Sequence, residues 1–233
     1  MMRNVSRGNV VFGGLMIVAG LLFAQRLTAA TRDPVSLPAP ARDELVVNAK
    51  SETAVFAGGC FWGIQSVFQH IKGVVSATSG YAGGSLDHPS YEVVSTGVTG
   101  HAESVRVVFD PSQVTYGQLL RVFFSVAHDP TQLNRQDPDA GPQYRSALFY
   151  MSDEQKKTAE AYIDQLNKSH AFSKPIVTQV APLKAFFAAE AYHQNYAELH
   201  PTQPYIAIYD APKVANLKKQ FPDLYSEKLA AHE

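Results

Sequence analysis

The chain has 233 residues, 45% hydrophobic and 18% charged, with 20 Lys and Arg against 21 Asp and Glu. That length and composition fit one folded domain with a real hydrophobic core and exclude disorder throughout. A net charge of −1 without a basic block gives no footprint for nucleic acid, and the single cysteine, Cys60, excludes an intramolecular disulfide, a Cys-rich zinc site and an iron–sulfur cluster.

The N-terminus reads as a targeting segment. Arg3 and Arg7 precede a 15-residue apolar run from Val10 to Ala24, and the small residues Thr28, Ala29 and Ala30 follow. This order describes a secretory signal peptide cleaved near Ala30, the run being shorter than the roughly 18 to 20 residues of a comfortable membrane-crossing helix. Arg26 and Arg32 fit a retained anchor as well as they fit cleavage. Residues 1–30 are therefore expected to be a signal peptide or membrane anchor, and the protein to be exported to the periplasm or another extracytoplasmic space. Residues 31–50, with Pro34, Pro38 and Pro40 and no lasting period, are expected to be a linker, leaving a catalytic domain and C-terminal tail at residues 51–233.

Within that domain, Thr53–Ala57 reads as a strand stopped by Gly58-Gly59. Phe61, Ile64, Val67, Phe68 and Ile71 then follow helical spacing up to Gly73. Val74–Thr78 and Ser104–Phe109 read as strands, and Thr115–Ala127 as an apolar helix. Tyr144–Met151 reads as another strand. Ser152 caps a helix to about Lys168, with Gln155 in the capping-box position, and Ile176–Val180 is one more expected strand. Long Gly- and Pro-rich connections at residues 79–103 and 128–143 interrupt the alternation, and loops of that length in a compact domain are commonly functional.

Cys60 falls at the turn from the first strand into the first helix. Unpaired backbone N–H groups and the helix dipole there favour thiolate, the nucleophilic form, and the two glycines leave the sulfur approachable. Phe61 and Trp62, the lone tryptophan, follow directly. They are candidates for an apolar wall, although Phe61 also lies on the buried stripe of its helix.

Gly59-Cys60-Phe61-Trp62-Gly63 resembles the signature of A-type peptide methionine sulfoxide reductases. Four further stretches match that family in order: Gly80-Tyr81-Ala82-Gly83-Gly84; Tyr91 with Thr99-Gly100-His101-Ala102-Glu103; His128-Asp129-Pro130 with Asp139-Ala140-Gly141-Pro142-Gln143-Tyr144-Arg145-Ser146; and Ala189-Glu190-Ala191-Tyr192-His193-Gln194. The resemblance spans about residues 53–200. It implies an α+β fold with a ferredoxin-like core, a mixed sheet with packed helices and long active-site loops.

The resemblance also implies that Cys60 attacks the sulfur of methionine (S)-sulfoxide, free or in proteins. Glu103 corresponds to the acid that protonates the sulfoxide oxygen. Tyr91 and Tyr144 correspond to hydroxyls that hydrogen-bond that oxygen, Asp139 to a polar pocket residue, and Phe61 and Trp62 to the wall around the substrate methyl group. Glu103 must then carry a proton near neutral pH, which requires desolvation. Methionine leaves with its oxygen on Cys60 as a sulfenic acid.

Two departures stand out. Many family members carry resolving cysteines near the C-terminus, but residues 199–233 contain none. No bound cofactor is expected. An external reductant, a thioredoxin-like protein or a small thiol, must attack Cys60 directly, so the expected partners are oxidised proteins, free methionine sulfoxide and that donor. Asp137 stands where glycine is expected in the Gln136 loop. A monomer is expected, with membrane contact only if the N-terminus is retained.

Other readings remain open from the residues alone. Cys60 with one of eight histidines, oriented by Asp129 or Asn195, would make a Cys–His hydrolase or acyltransferase. An aromatic pocket without chemistry would make a peptide-binding module. Glu190 and His193, three apart, and His128-Asp129 contain metal-ligand types, but no second Glu-x-x-His element completes a dinuclear set. Glu190 and His193 are more readily supports of the pocket, and His101 a loop residue that helps fix Glu103.

Overall fold

In the computed structural model, which describes residues 35–43 and 50–232, the first strand already separates two cores. Along β1 (Glu52–Gly58), Ala54 and Phe56 point to one face of the sheet, and Val55 and Ala57 to the other. This is the two-residue period of a strand buried on both sides. Phe56 stacks on Phe68 of α1 (Phe61–Gln69) at 4.5 Å and meets Phe123 at 5.2 Å. Burial of each such ring stabilises the fold by about 1.5 to 3 kcal/mol.

The chain continues through β2 (Val74–Ala82), the short α2 (Tyr91–Val94) and β3 (Ala102–Phe109). Next comes α3 (Tyr116–Val122), extended by a π-helical turn at Phe123–Ala127. A two-residue hairpin, β4 (Arg135–Gln136) and β5 (Asp139–Ala140), precedes β6 (Ser146–Tyr150), α4 (Asp153–Lys168), β7 (Gln179–Pro182) and β8 (Phe186–Ala188). The tail holds α5 (Tyr196–Leu199), a π-helical turn at Ile206–Asp210 and α6 (Ala211–Gln220).

The six-stranded sheet runs β7-β6-β1-β3-β2-β8, antiparallel except for β6 and β7. Its centre, β6-β1-β3-β2, joined through α1 and α3, is the expected ferredoxin-like arrangement. Helices α1, α3, α4 and α6 share one core over Phe56, Val105, Val107 and Leu148. The opposite face is a thin layer of Ala57, Ala82, Ala102, Ala147 and Phe149 beneath Phe186, with the Arg106 guanidinium 5.1 Å above the Phe186 ring.

Differences from the sequence expectations have local causes. Ser152 accepts the Gln155 N–H at 3.2 Å, but the Gln155 side chain turns to the Met151 N–H and the Thr53 carbonyl, so half of the expected capping box forms. Thr115, by contrast, caps α3 in a complete box with Gln118. The strand expected at Ile176–Val180 begins at Gln179, because the N–H groups of Ile176 and Val177 are taken by Asn167 and by the Pro130 carbonyl. Asp137 sits with Pro138 at the tip of the β4–β5 hairpin, joined by a cis peptide bond.

The segment expected to be a linker is, in its described part, a strap. Leu37 is buried, and the Leu37 carbonyl accepts from Arg121 at 2.8 Å. The Pro38 carbonyl accepts from the Tyr162 hydroxyl at 2.8 Å, and Gln165 brackets Ala39 and Ala41. Asp43 takes the Gly117 N–H at 3.0 Å and the Thr115 hydroxyl. An extended strap bonded by other elements' side chains leaves no period to read. Residues 1–34 and 44–49, with the expected signal peptide or anchor, lie outside the described residues.

Candidate active site

The site begins where β1 runs out. Gly59 has φ +97°, and a Cβ there would stand 2.6 Å from the Gln136 side chain, so both backbone and space demand glycine. Gln136 bonds the Asp129 N–H and carbonyl at 3.0 Å each, which ties the 128–143 loop over this turn. Cys60 is then the N-cap residue of α1 and only 9% exposed.

The expectation of a resting thiolate needs correction. Burial, then the carboxyls of Glu103 and Asp210, push the Cys60 thiol well above its ordinary value. The Trp62 N–H and Lys213 pull the other way and lose. The Trp62 N–H belongs to the first turn of α1, so the helix end does act on the sulfur, but burial outweighs it.

Glu103 lies across from Tyr81 in the β2–β3 register and is 2% exposed. Its Oε2 accepts the Phe61 N–H at 3.0 Å, which fixes it beside the turn that carries Cys60. Desolvation raises its pKa to about 8, against that hydrogen bond and with help from Asp139 and Asp210. The carboxyl is therefore protonated at neutral pH.

Tyr91, Tyr144 and Asp139 join the same electrostatic cluster. Burial, then Glu103, push Tyr91 up to about 12 and Tyr144 higher still, so both hydroxyls are donors at any ordinary pH. Asp139, also raised by burial, accepts the Tyr205 hydroxyl. Phe61 is 1% exposed, between Tyr81 and His193, so it forms the floor of the site and supplies its N–H to Glu103. Trp62 is half-buried, stacks on Tyr196 at 3.9 Å and meets Tyr205 edge-on at 6.0 Å.

The supports around these groups are specific. Glu190 accepts the Tyr81 hydroxyl and the Tyr91 N–H, each at 2.8 Å, and His193 Nδ1 accepts the Trp62 indole N–H at 3.2 Å. Both therefore act as wall supports. His128 bonds the Phe123 carbonyl and the Ser146 hydroxyl. Among the described residues no three metal-ligating side chains cluster. His101 does not fix Glu103 as expected: its ring takes the Gly84 N–H at 3.2 Å and meets the Leu86 carbonyl at 2.8 Å, which secures the loop after β2.

Sequence reasoning missed Tyr205, Asp210 and Lys213. All three come from the tail, whose sequence holds no cysteine and no motif that marks them. The arrangement sets a neutral thiol, a protonated carboxyl and two phenolic donors beside aromatic walls. Such a site suits a small group with an oxygen that must be protonated as a sulfur attacks.

The peptide methionine sulfoxide reductase family matches residues 52–225. Peptide methionine sulfoxide reductase MsrA 2 of Mesorhizobium japonicum is 62% identical over 178 residues, 76% of this chain and 91% of that protein. The protein of the same name from Synechocystis is 45% identical over 218 residues, 94% of this chain and 99% of its own. Among solved structures, reduced Mxr1 from Saccharomyces cerevisiae matches with a TM-score of 0.61 and 34% identity, covering 70% of this chain and 93% of that one. Methionine sulfoxide reductase A of Corynebacterium diphtheriae matches with a TM-score of 0.58 and 32% identity, covering 75% and 90%. The chain belongs to the peptide methionine sulfoxide reductase family.

Proposed function

We propose that this reductase acts on the S epimer of methionine sulfoxide, free and in proteins, through a sulfenic acid on Cys60. The observation that carries the reading is Glu103, a buried carboxyl whose pKa of about 8 keeps it protonated on the Phe61 N–H beside Cys60. A sulfoxide oxygen leaves sulfur readily only when protonated. Tyr91 and Tyr144 donate hydrogen bonds to that oxygen, Trp62 borders the methyl group over the Phe61 floor, and Asp139, held by Tyr205, supplies the polar side of the pocket.

The step balances without any other reactant. Cys60 sulfur attacks the sulfoxide sulfur as Glu103 gives its proton to the oxygen, and the thiol's proton replaces the one Glu103 gives. The hydroxyl then passes from the substrate sulfur to Cys60 as the bond between the two sulfurs breaks with its electron pair going to the substrate, so methionine leaves two electrons richer and Cys60 carries the oxygen as S–OH. An external thiol then attacks Cys60 and expels water, and a second thiol frees Cys60 as a disulfide of the reductant departs. The absence of any other cysteine in the chain supports an external donor, either a small thiol or a thioredoxin-like protein.

The basic, apolar and small-residue order of the N-terminus supports export, with repair of oxidised envelope or secreted proteins as the role. The test is turnover of each sulfoxide epimer with dithiothreitol by wild type, Cys60→Ser and Glu103→Ala. The reading expects activity on the S epimer, lost in Cys60→Ser and strongly reduced in Glu103→Ala. Activity surviving in Cys60→Ser, or confined to the R epimer, would overturn it.

A further inference from the structure

A second charged pair presses against the first turn of the cysteine helix. Asp210, last residue of the π-helical turn, is 1% exposed, and its Oδ1 accepts from Lys213 Nζ at 3.0 Å. Its Oδ2 is buried without a hydrogen-bond partner. Gly63 makes the space: a Cβ there would stand 2.1 Å from Asp210 Oδ1 and 2.9 Å from Lys213 Nζ. Both features are costly. A buried carboxylate oxygen left open loses hydration, and a glycine inside a helix gives up about 1 kcal/mol relative to alanine. The two coincide three residues after Cys60.

We propose that Lys213, oriented by Asp210 over the first turn of α1, is a positioning residue that sets the acidity of Cys60. Its ammonium stabilises the thiolate as the thiol proton leaves, and Asp210 holds the ammonium in place while opposing its charge. The other titratable groups acting on Cys60 among the described residues are Glu103 from β3, Tyr91 from α2, and Tyr144 and Tyr205, all acids, while Asp139 from β5 acts on Lys213 itself. Among the described residues Lys213 is the cation acting on the sulfur, and its side chain is 18% exposed, so solvent screens it weakly. The role rests on Cys60 as nucleophile, not on the identity of the substrate.

The test is the rate of Cys60 carbamidomethylation by iodoacetamide, followed by mass from neutral to mildly alkaline pH. Cys60 is the only cysteine, so the signal has one source. Lys213→Met is expected to slow alkylation about three- to ten-fold at fixed pH, as loss of a nearby opposite charge requires. Asp210→Asn is expected to accelerate it, the double variant to fall between the two, and Lys213→Arg to stay near wild type. A merely structural pair predicts otherwise: both single variants shift in the same direction, with the double variant reacting fastest through an opened site. That pattern, no shift in either single variant, or Lys213→Arg behaving as Lys213→Met would overturn the proposal. No sulfoxide is used, so this failure is separate from survival of sulfoxide turnover in Cys60→Ser, which would remove the function itself.

Discussion

Glu103→Gln should make the protein more stable and less active. In the unfolded chain Glu103 has its ordinary pKa of 4.5, whereas in the fold burial raises it to about 8. Between those values the folded state holds a proton that the unfolded state has released. Wild-type stability is therefore full below about pH 4.5 and falls by about 1.4 kcal/mol per pH unit up to about pH 8. At pH 7 the accumulated cost is on the order of 3 kcal/mol. Glutamine carries no proton to lose and can still accept the Phe61 N–H, so it escapes this cost. Urea denaturation of both proteins across pH 4 to 9 measures the difference directly. It should be near zero at pH 4, reach on the order of 3 kcal/mol at pH 7 and level off above about pH 8. A pH-independent difference, or a less stable glutamine variant at pH 7, would refute the assignment of a buried, protonated carboxyl.

The same pKa predicts that single-turnover oxygen transfer falls about tenfold per pH unit above about pH 8, as stopped-flow or rapid-quench measurement across the alkaline range will show. Gly63→Ala should cost about 1 to 3 kcal/mol in denaturation experiments, because its Cβ collides with Asp210 Oδ1 at 2.1 Å. Glu190→Ala removes the acceptor of the buried Tyr81 hydroxyl and the Tyr91 N–H. It should cost about 2 to 4 kcal/mol and raise KM for methionine sulfoxide, whereas Glu190→Gln should recover most of both.

How far the residues alone reached depended on where each signal was written. The short apolar, β-branched run Thr53–Ala57 stopped by Gly58-Gly59 and the helical spacing from Phe61 to Phe68 located β1 and α1, and so placed Cys60 at the turn between them. Ser152 and Thr115 marked helix starts because N-capping is local chemistry. The strap at residues 35–43 escaped because its partners, Arg121, Tyr162 and Gln165, lie far along the chain and bond its backbone carbonyls.

The ionisation state of Cys60 shows the same limit. The helix N-terminus is visible in sequence and argues for thiolate. The burial that reverses it, and the Glu103 and Asp210 carboxyls that add to it, arrive only through the β2–β3 pairing and the packing of the tail against α1. Tyr205 and Lys213 were invisible for the same reason, since one tyrosine among 11 and one lysine in a charged tail carry no local mark.

The most direct measurement is a single turnover without reductant. Stoichiometric methionine (S)-sulfoxide is mixed with the protein, methionine is quantified, and Cys60 is trapped with dimedone and read by mass. One methionine per chain with dimedone on Cys60, and neither product from Cys60→Ser, is the predicted result. Methionine formed while Cys60 remains an unmodified thiol, or no methionine until an external thiol is added, would contradict oxygen transfer to Cys60.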